Sequence, residues 1–129
     1  MKILHTADWH LGASFGPERR IGEFDRALDW LAETIRKEKI EALLIAGDVF
    51  DTGVPPNSAV EQYYRFLLKA RDAGVRKAIV TAGNHDSASF LDAPKALLEQ
   101  LDIFVAGKAD PEYDSLIIPL TEADGTPAA

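Results

Sequence analysis

At 129 residues the chain is one ordinary domain, long enough to bury a core, and its 47% hydrophobic and 27% charged content is that of a globular protein. No apolar run approaches the roughly 20 residues a membrane span needs, and Met1-Lys2 is expected to lead straight into a strand without a signal peptide. A net charge of −7 argues against an unaided grip on nucleic acid, while the absence of cysteine removes disulfides and thiolate metal sites and suits a reducing cytoplasm.

Lys2–Thr6 is expected to be the first and central strand. In the loop after it, Ala7–Gly12, Gly12 permits a tight turn. Asp8 and His10 offer a hard oxygen and an imidazole nitrogen that one cation can share. On their own, a solvated carboxylate and a hydrogen-bonded histidine are the simpler account. Ala13–Gly22 reads as a loop, with the Arg19-Arg20 pair as solvated charge rather than a phosphate contact. Glu23–Lys39 reads as a helix, because Phe24, Ala27, Leu28, Leu31 and Ile35 fall on one face.

The continuous apolar run Leu43–Ala46 reads as a parallel strand covered on both faces. It stops at Gly47-Asp48, which sets a carboxylate at the carboxyl edge of the sheet, where open α/β sheets bind ligands. Asp51–Asn57 is a loop holding the Pro55-Pro56 pair. A helix then runs from Asn57 or Ser58 to about Asp72, with Ser58 and Glu61 placed for a capping box and Gly74 beyond its end. The third strand, Lys77–Ala82, ends in Gly83-Asn84-His85-Asp86-Ser87. Asn84 is a reasonable hard-metal ligand, while His85 could instead address substrate. A helix from Ser87 or Ser89 to about Gln100 follows, then short strands at Ile103–Val105 and Ser115–Leu120 and a turn at Asp124-Gly125. Three strand ends thus bring oxygen and imidazole ligands to one sheet edge, which suggests a metal site with Asp48 as its central ligand.

Asp-x-His, Gly-Asp-x-x-Asp and Gly-Asn-His-Asp, each after a strand in βαβαβ order, resemble the calcineurin-like metallophosphoesterase superfamily over essentially the whole chain. The resemblance implies a layered α/β fold and a metal-dependent DNA nuclease that cuts phosphodiesters at double-strand ends or hairpins with an ATPase partner. Two Mn²⁺ or similar ions are implied: Asp8 and His10 hold one, Asp48 bridges both and Asn84 holds the other. Paired cations of this kind activate water and stabilise the charge of in-line attack. His85 corresponds to the histidine that contacts the scissile phosphate or protonates the leaving oxygen, and Asp51 stands where a carboxylate orients that histidine. Asp86 is expected to support the loop, and His5 to be buried behind the site rather than a ligand.

The family also uses later histidines, whereas this chain has three, His5, His10 and His85. The sequence therefore reads as the N-terminal part (1–129) of a longer metallophosphoesterase domain, with an incomplete sheet and, for this piece alone, no expected activity. A small-substrate phosphoesterase and a catalytically silent dimerisation module are the other readings. The resemblance further implies a homodimer through the helices near 58–72 and 89–100. The sequence adds its own reason, since apolar residues surround more of the first helix than one packed face requires, and Leu97-Leu98 cannot both point inward. Exposed apolar patches of several hundred Å² commonly mark interfaces. Tyr64 and Leu98 are the expected contact residues.

Overall fold

The computed structural model describes residues 1–15, 18–108 and 116–129. In chain order its elements are β1 (Ile3–Thr6), β2 (Ser14–Phe15), β3 (Glu18–Arg19), α1 (Ile21–Glu38), β4 (Ala42–Ala46), α2 (Asn57–Asp72), β5 (Lys77–Thr81), α3 (Ala88–Asp92), α4 (Lys95–Glu99) and β6 (Ile103–Ala106). β1, β4, β5 and β6 form a parallel sheet in that order, and β2 and β3 a small antiparallel hairpin. Each crossover moves to the next neighbour in the same direction through helix. Because such crossovers are right-handed, the helices collect on one face of the sheet.

The register agrees. Leu43, Ala78 and Ile103 lie side by side across the strands, as do Ile45, Val80 and Val105, and all six are buried. Over them pack Leu28, Ala32 and Ile35 of α1 and Phe66, Leu67 and Ala70 of α2. Gln62 of α2 ties the two helices together, its amide donating to the Ile21 carbonyl and the Asp25 carboxylate. On the opposite face Leu44, Ile79 and Phe104 are only half-buried. The expectation that the β4 run is covered on both faces is therefore corrected: a one-way strand order supplies helices to one side. β1, expected at the centre, is likewise an edge strand of the described sheet.

Other differences are local. Part of the segment read as a loop before α1 forms the β2–β3 hairpin. The Ser58–Glu61 capping box does not form, because α2 starts earlier, with extended Pro56 at its N-cap, and Ser58 falls inside the first turn. The Pro56 carbonyl accepts from the N–H groups of Ala59 and Val60 instead. The helix expected to Gln100 is two short ones, broken at Pro94, which has no N–H to continue the ladder. Ser87 does cap α3, its hydroxyl accepting from Phe90 N–H at 3.2 Å. Of the expected strand Ser115–Leu120, Ser115 lies outside the described residues and 116–120 is not a strand. Pro119 brings no N–H, and the carbonyls of Pro119 and Thr121 are taken by the side chains of Lys77 and Arg76. The Asp124-Gly125 turn is present, closed by Thr121 pairing with Pro127.

The leucine pair of α4 splits: Leu98 is 6% exposed and Leu97 68%. Leu98→Ala should therefore destabilise the fold by about 2–5 kcal/mol, and Leu97→Ala by no more than about 0.5 kcal/mol. Urea unfolding of both variants measures the contrast; equal losses would contradict this packing.

Candidate metal centre

The loops leaving β1 and β4 stay laced together beyond the strand ends. Asp8 N–H donates to the Gly47 carbonyl at 3.1 Å, His10 N–H to that of Asp48 at 2.9 Å and Leu11 N–H to that of Val49 at 2.9 Å. Asp51 N–H returns to the Leu11 carbonyl at 3.0 Å. This ladder carries Asp8 and His10 alongside Asp48. Aromatic contacts fasten both loops to α2: Trp9 meets Phe66 edge-on with ring centroids 5.0 Å apart, and Phe50 meets Tyr63 at 5.4 Å. Gly12 closes the first loop with φ +90°, and a Cβ there would lie 2.9 Å from the Pro56 ring.

The loop after β5 packs directly on Asp48, and Gly83 is what permits it. A Cβ at residue 83 would fall 2.2 Å from Asp48 Oδ1 and 2.3 Å from its main-chain nitrogen. With none there, His85 N–H donates to Asp48 Oδ1 at 2.9 Å. The Asp86 carboxylate then ties the two loops, accepting from the N–H groups of Gly83 (2.9 Å), Val49 (3.0 Å) and Phe50 (2.8 Å). Its expected role in supporting the loop has this physical form.

Asp8, His10 and Asp48 sit in the left-handed region, with φ of 56°, 51° and 50°. That conformation costs a non-glycine residue on the order of 1–2 kcal/mol, although Asp tolerates it better than most. Backbone strain of this kind persists where surrounding bonds over-determine it, and it clusters at functional sites.

Ligand-type atoms of Asp8, His10 and Asp48 lie within 4.8 Å of one another, and so do those of His10, Asp51 and His85. The Asp48 side chain is 13% exposed and that of His10 32%. Asn84 faces the same carboxylate: with its amide nitrogen inward it donates to the two Asp48 oxygens at 3.1 and 3.2 Å. Turned over, the amide oxygen lies against those oxygens, a contact that a bound cation would relieve. Among the described residues no Lys or Arg pairs with Asp8 or Asp48, so the carboxylates meet without a permanently cationic partner. Two carboxylates, an imidazole and an amide thus fit a hard divalent ion.

His85 is exposed, and its Nδ1 lies 3.1 Å from the main-chain carbonyl of Asp51. A carbonyl only accepts, so Nδ1 is the donor in this contact. The Asp51 carboxylate instead stands 3.3 Å from Nδ1 of His10. The carboxylate support expected for His85 is therefore corrected to a carbonyl from the same residue. The two imidazoles meet edge-to-face, centroids 5.1 Å apart. His5, expected to be buried, is exposed, because it lies on the edge strand and points to the face without helices. Arg20 pairs with Glu23 at 2.7 Å and lies over Phe24, as solvated charge does.

Residues 1–125 match the profile of calcineurin-like phosphoesterases. The chain belongs to that family. Over all 129 residues it is 41% identical to the SbcD component of the nuclease SbcCD from Escherichia coli strain K12, covering 31% of that protein. The corresponding SbcCD component of Bacillus subtilis strain 168 is 39% identical over 92% of the chain and 30% of its own length. The DNA double-strand break repair protein Mre11 of Aeropyrum pernix is 35% identical over 92% of the chain and 28% of its own length. The chain thus spans about a third of the length of these relatives. In this calcineurin-like phosphoesterase the lacing of the three loops brings Asp8, His10, Asp48 and Asn84 together at one sheet edge.

Asp86→Ala should leave three main-chain N–H groups without their acceptor and cost about 1.5–3 kcal/mol. Urea unfolding measures this, and a loss below about 0.5 kcal/mol would contradict the clamp.

Proposed function

We propose that the chain is the N-terminal part of the catalytic domain of a metal-dependent DNA nuclease, acting in the cytoplasm with an ATPase of the SbcC kind. The observation that carries this reading is the meeting of Asp8, His10, Asp48, Asn84 and His85 at one sheet edge, in a chain 41% identical along its whole length to a nuclease component. Asp8, His10 and Asp48 would hold one divalent ion, Mn²⁺ by preference, and Asp48 with Asn84 a second. When bound, such ions supply Lewis-acid stabilisation and an activated water for phosphodiester attack.

The chain's own residues do the rest. Asp48 is fixed by His85 N–H and by the backbone ladder, so its carboxylate is preset before substrate arrives. His85 keeps Nδ1–H on the Asp51 carbonyl, which aims Nε2 outward; in the imidazolium form, with a second proton on Nε2, it would donate to a phosphoryl oxygen or pass that proton to the leaving oxygen. The acidic chain has little means of gripping DNA alone, so bound cations and the partner supply the attraction to phosphate. With three protein ligands at one position and two at the other, the 129-residue chain itself would hold metal weakly and unequally and have little or no activity.

A nuclease at the relatives' full length that carries this chain should cut a DNA hairpin with Mn²⁺. His85→Ala should lower its kcat by roughly 10²–10⁴-fold while leaving Mn²⁺ binding intact. Activity confined to a small phosphodiester would overturn the nuclease reading.

We also propose a homodimer. Tyr64, Leu67, Leu68, Pro94 and Leu97 line an apolar groove of about 350 Å³ between α2 and α4. Leu68 and Leu97 are its exposed rim, at 51% and 68%, whereas Leu98 is its buried floor, which corrects the expected contact residue from Leu98 to Leu97. A two-fold contact would bury the same patch on both copies. Sedimentation velocity should show dimers at micromolar concentration and monomers for Leu97→Asp; a monomeric parent chain would overturn this interface.

A further inference from the structure

The Asp51 side chain reaches the other histidine. Its carboxylate stands 3.3 Å from His10 Nδ1, while His85 is held by the Asp51 main-chain carbonyl. We infer that Asp51 is a positioning residue for His10: its carboxylate accepts the Nδ1 proton, which leaves Nε2 unprotonated and turned toward Asp48. This rests on the metal reading above and extends it to a residue outside the ligand set.

The surroundings support it. His10 Nε2 faces Asp48 Oδ2 at 3.9 Å, too long for a hydrogen bond, with the space beside Asp8 as the place for an ion. Asp48 faces the ring on its other side, at Nε2, so it is Asp51 and not Asp48 that stands beside Nδ1. Asp51 is itself pinned, because its N–H donates to the carbonyl of Leu11, the residue after His10. Ligand and support are therefore fixed on one short ladder. Among the described residues no Lys or Arg pairs with Asp51 to compete for its carboxylate. A carboxylate on the far nitrogen of a metal-binding imidazole fixes its tautomer and raises its basicity, and losing it costs about 10–100-fold in metal affinity.

Because Asp51 holds the two rings through different atoms, a side-chain replacement separates them. Asp51→Ala removes the contact to His10 and keeps the carbonyl for His85. Asp51→Asn keeps an oxygen acceptor without the charge.

The test uses the 129-residue chain, free of metal, with ring-nitrogen NMR correlations reporting which nitrogen of each histidine is protonated, followed by calorimetric titration with Mn²⁺. In the parent chain His10 should carry its proton on Nδ1. Asp51→Ala should lose that preference and bind Mn²⁺ about 10–100-fold more weakly, with His85 keeping its own proton on Nδ1. Asp51→Asn should keep the tautomer and recover part of the affinity. A His10 protonated on Nε2 in the parent chain, unchanged affinity in Asp51→Ala, or a shift of His85 in place of His10 would each overturn the positioning role alone. No Mn²⁺ uptake by the parent chain would overturn the metal reading and this inference with it.

Discussion

The contact between Gly83 and Asp48 leaves no room for a single carbon atom, and the geometry of the site follows from that contact. It lets the loop after β5 lie against the loop after β4, so that His85 N–H and the Asn84 amide reach the Asp48 carboxylate. Three N–H bonds to Asp86 hold the loops there. A parallel sheet alone would set the three strand ends side by side at ordinary strand spacing of about 4.8 Å. The further approach is made by main chain on main chain, and glycine is the residue that allows it.

The site is also electrostatically incomplete by itself. Asp8 and Asp48 offer oxygens within 4.8 Å of one another, and no Lys or Arg among the described residues answers them. Holding Asp8, His10 and Asp48 in left-handed backbone adds local strain. Both costs are borne by the ladder to Gly47, Asp48 and Val49 and by the aromatic packing on α2. Such a cluster of oxygen and imidazole donors fits a hard divalent cation.

The strand ends are legible in the sequence because short apolar runs closed by Gly-Asp or Gly-Asn announce themselves locally. The gathering of Asp8, His10, Asp48 and Asn84 at one sheet edge is legible for the same reason. What depends on distant pairing is not. Nothing in Ile3–Thr6 states that β1 has a neighbour on one side of the described sheet, so neither its edge position nor the exposure of His5 follows from those residues. The Leu97-Leu98 pair announces that one residue must face out, but Pro94 resets the helical phase and decides which. The Ser58 capping box is a plausible local pattern that the extended Pro56 overrides by starting α2 earlier. The double hold of Asp51 is invisible because one half of it is a main-chain carbonyl, which every residue possesses.

The most direct measurement is anomalous diffraction at the manganese edge from crystals of this chain soaked in Mn²⁺. The strongest peak is expected among Asp8, His10 and Asp48, with a weaker one or none between Asp48 and Asn84. A dominant peak away from these residues, or a peak beside Asn84 with none beside Asp8 and His10, would contradict the site described here.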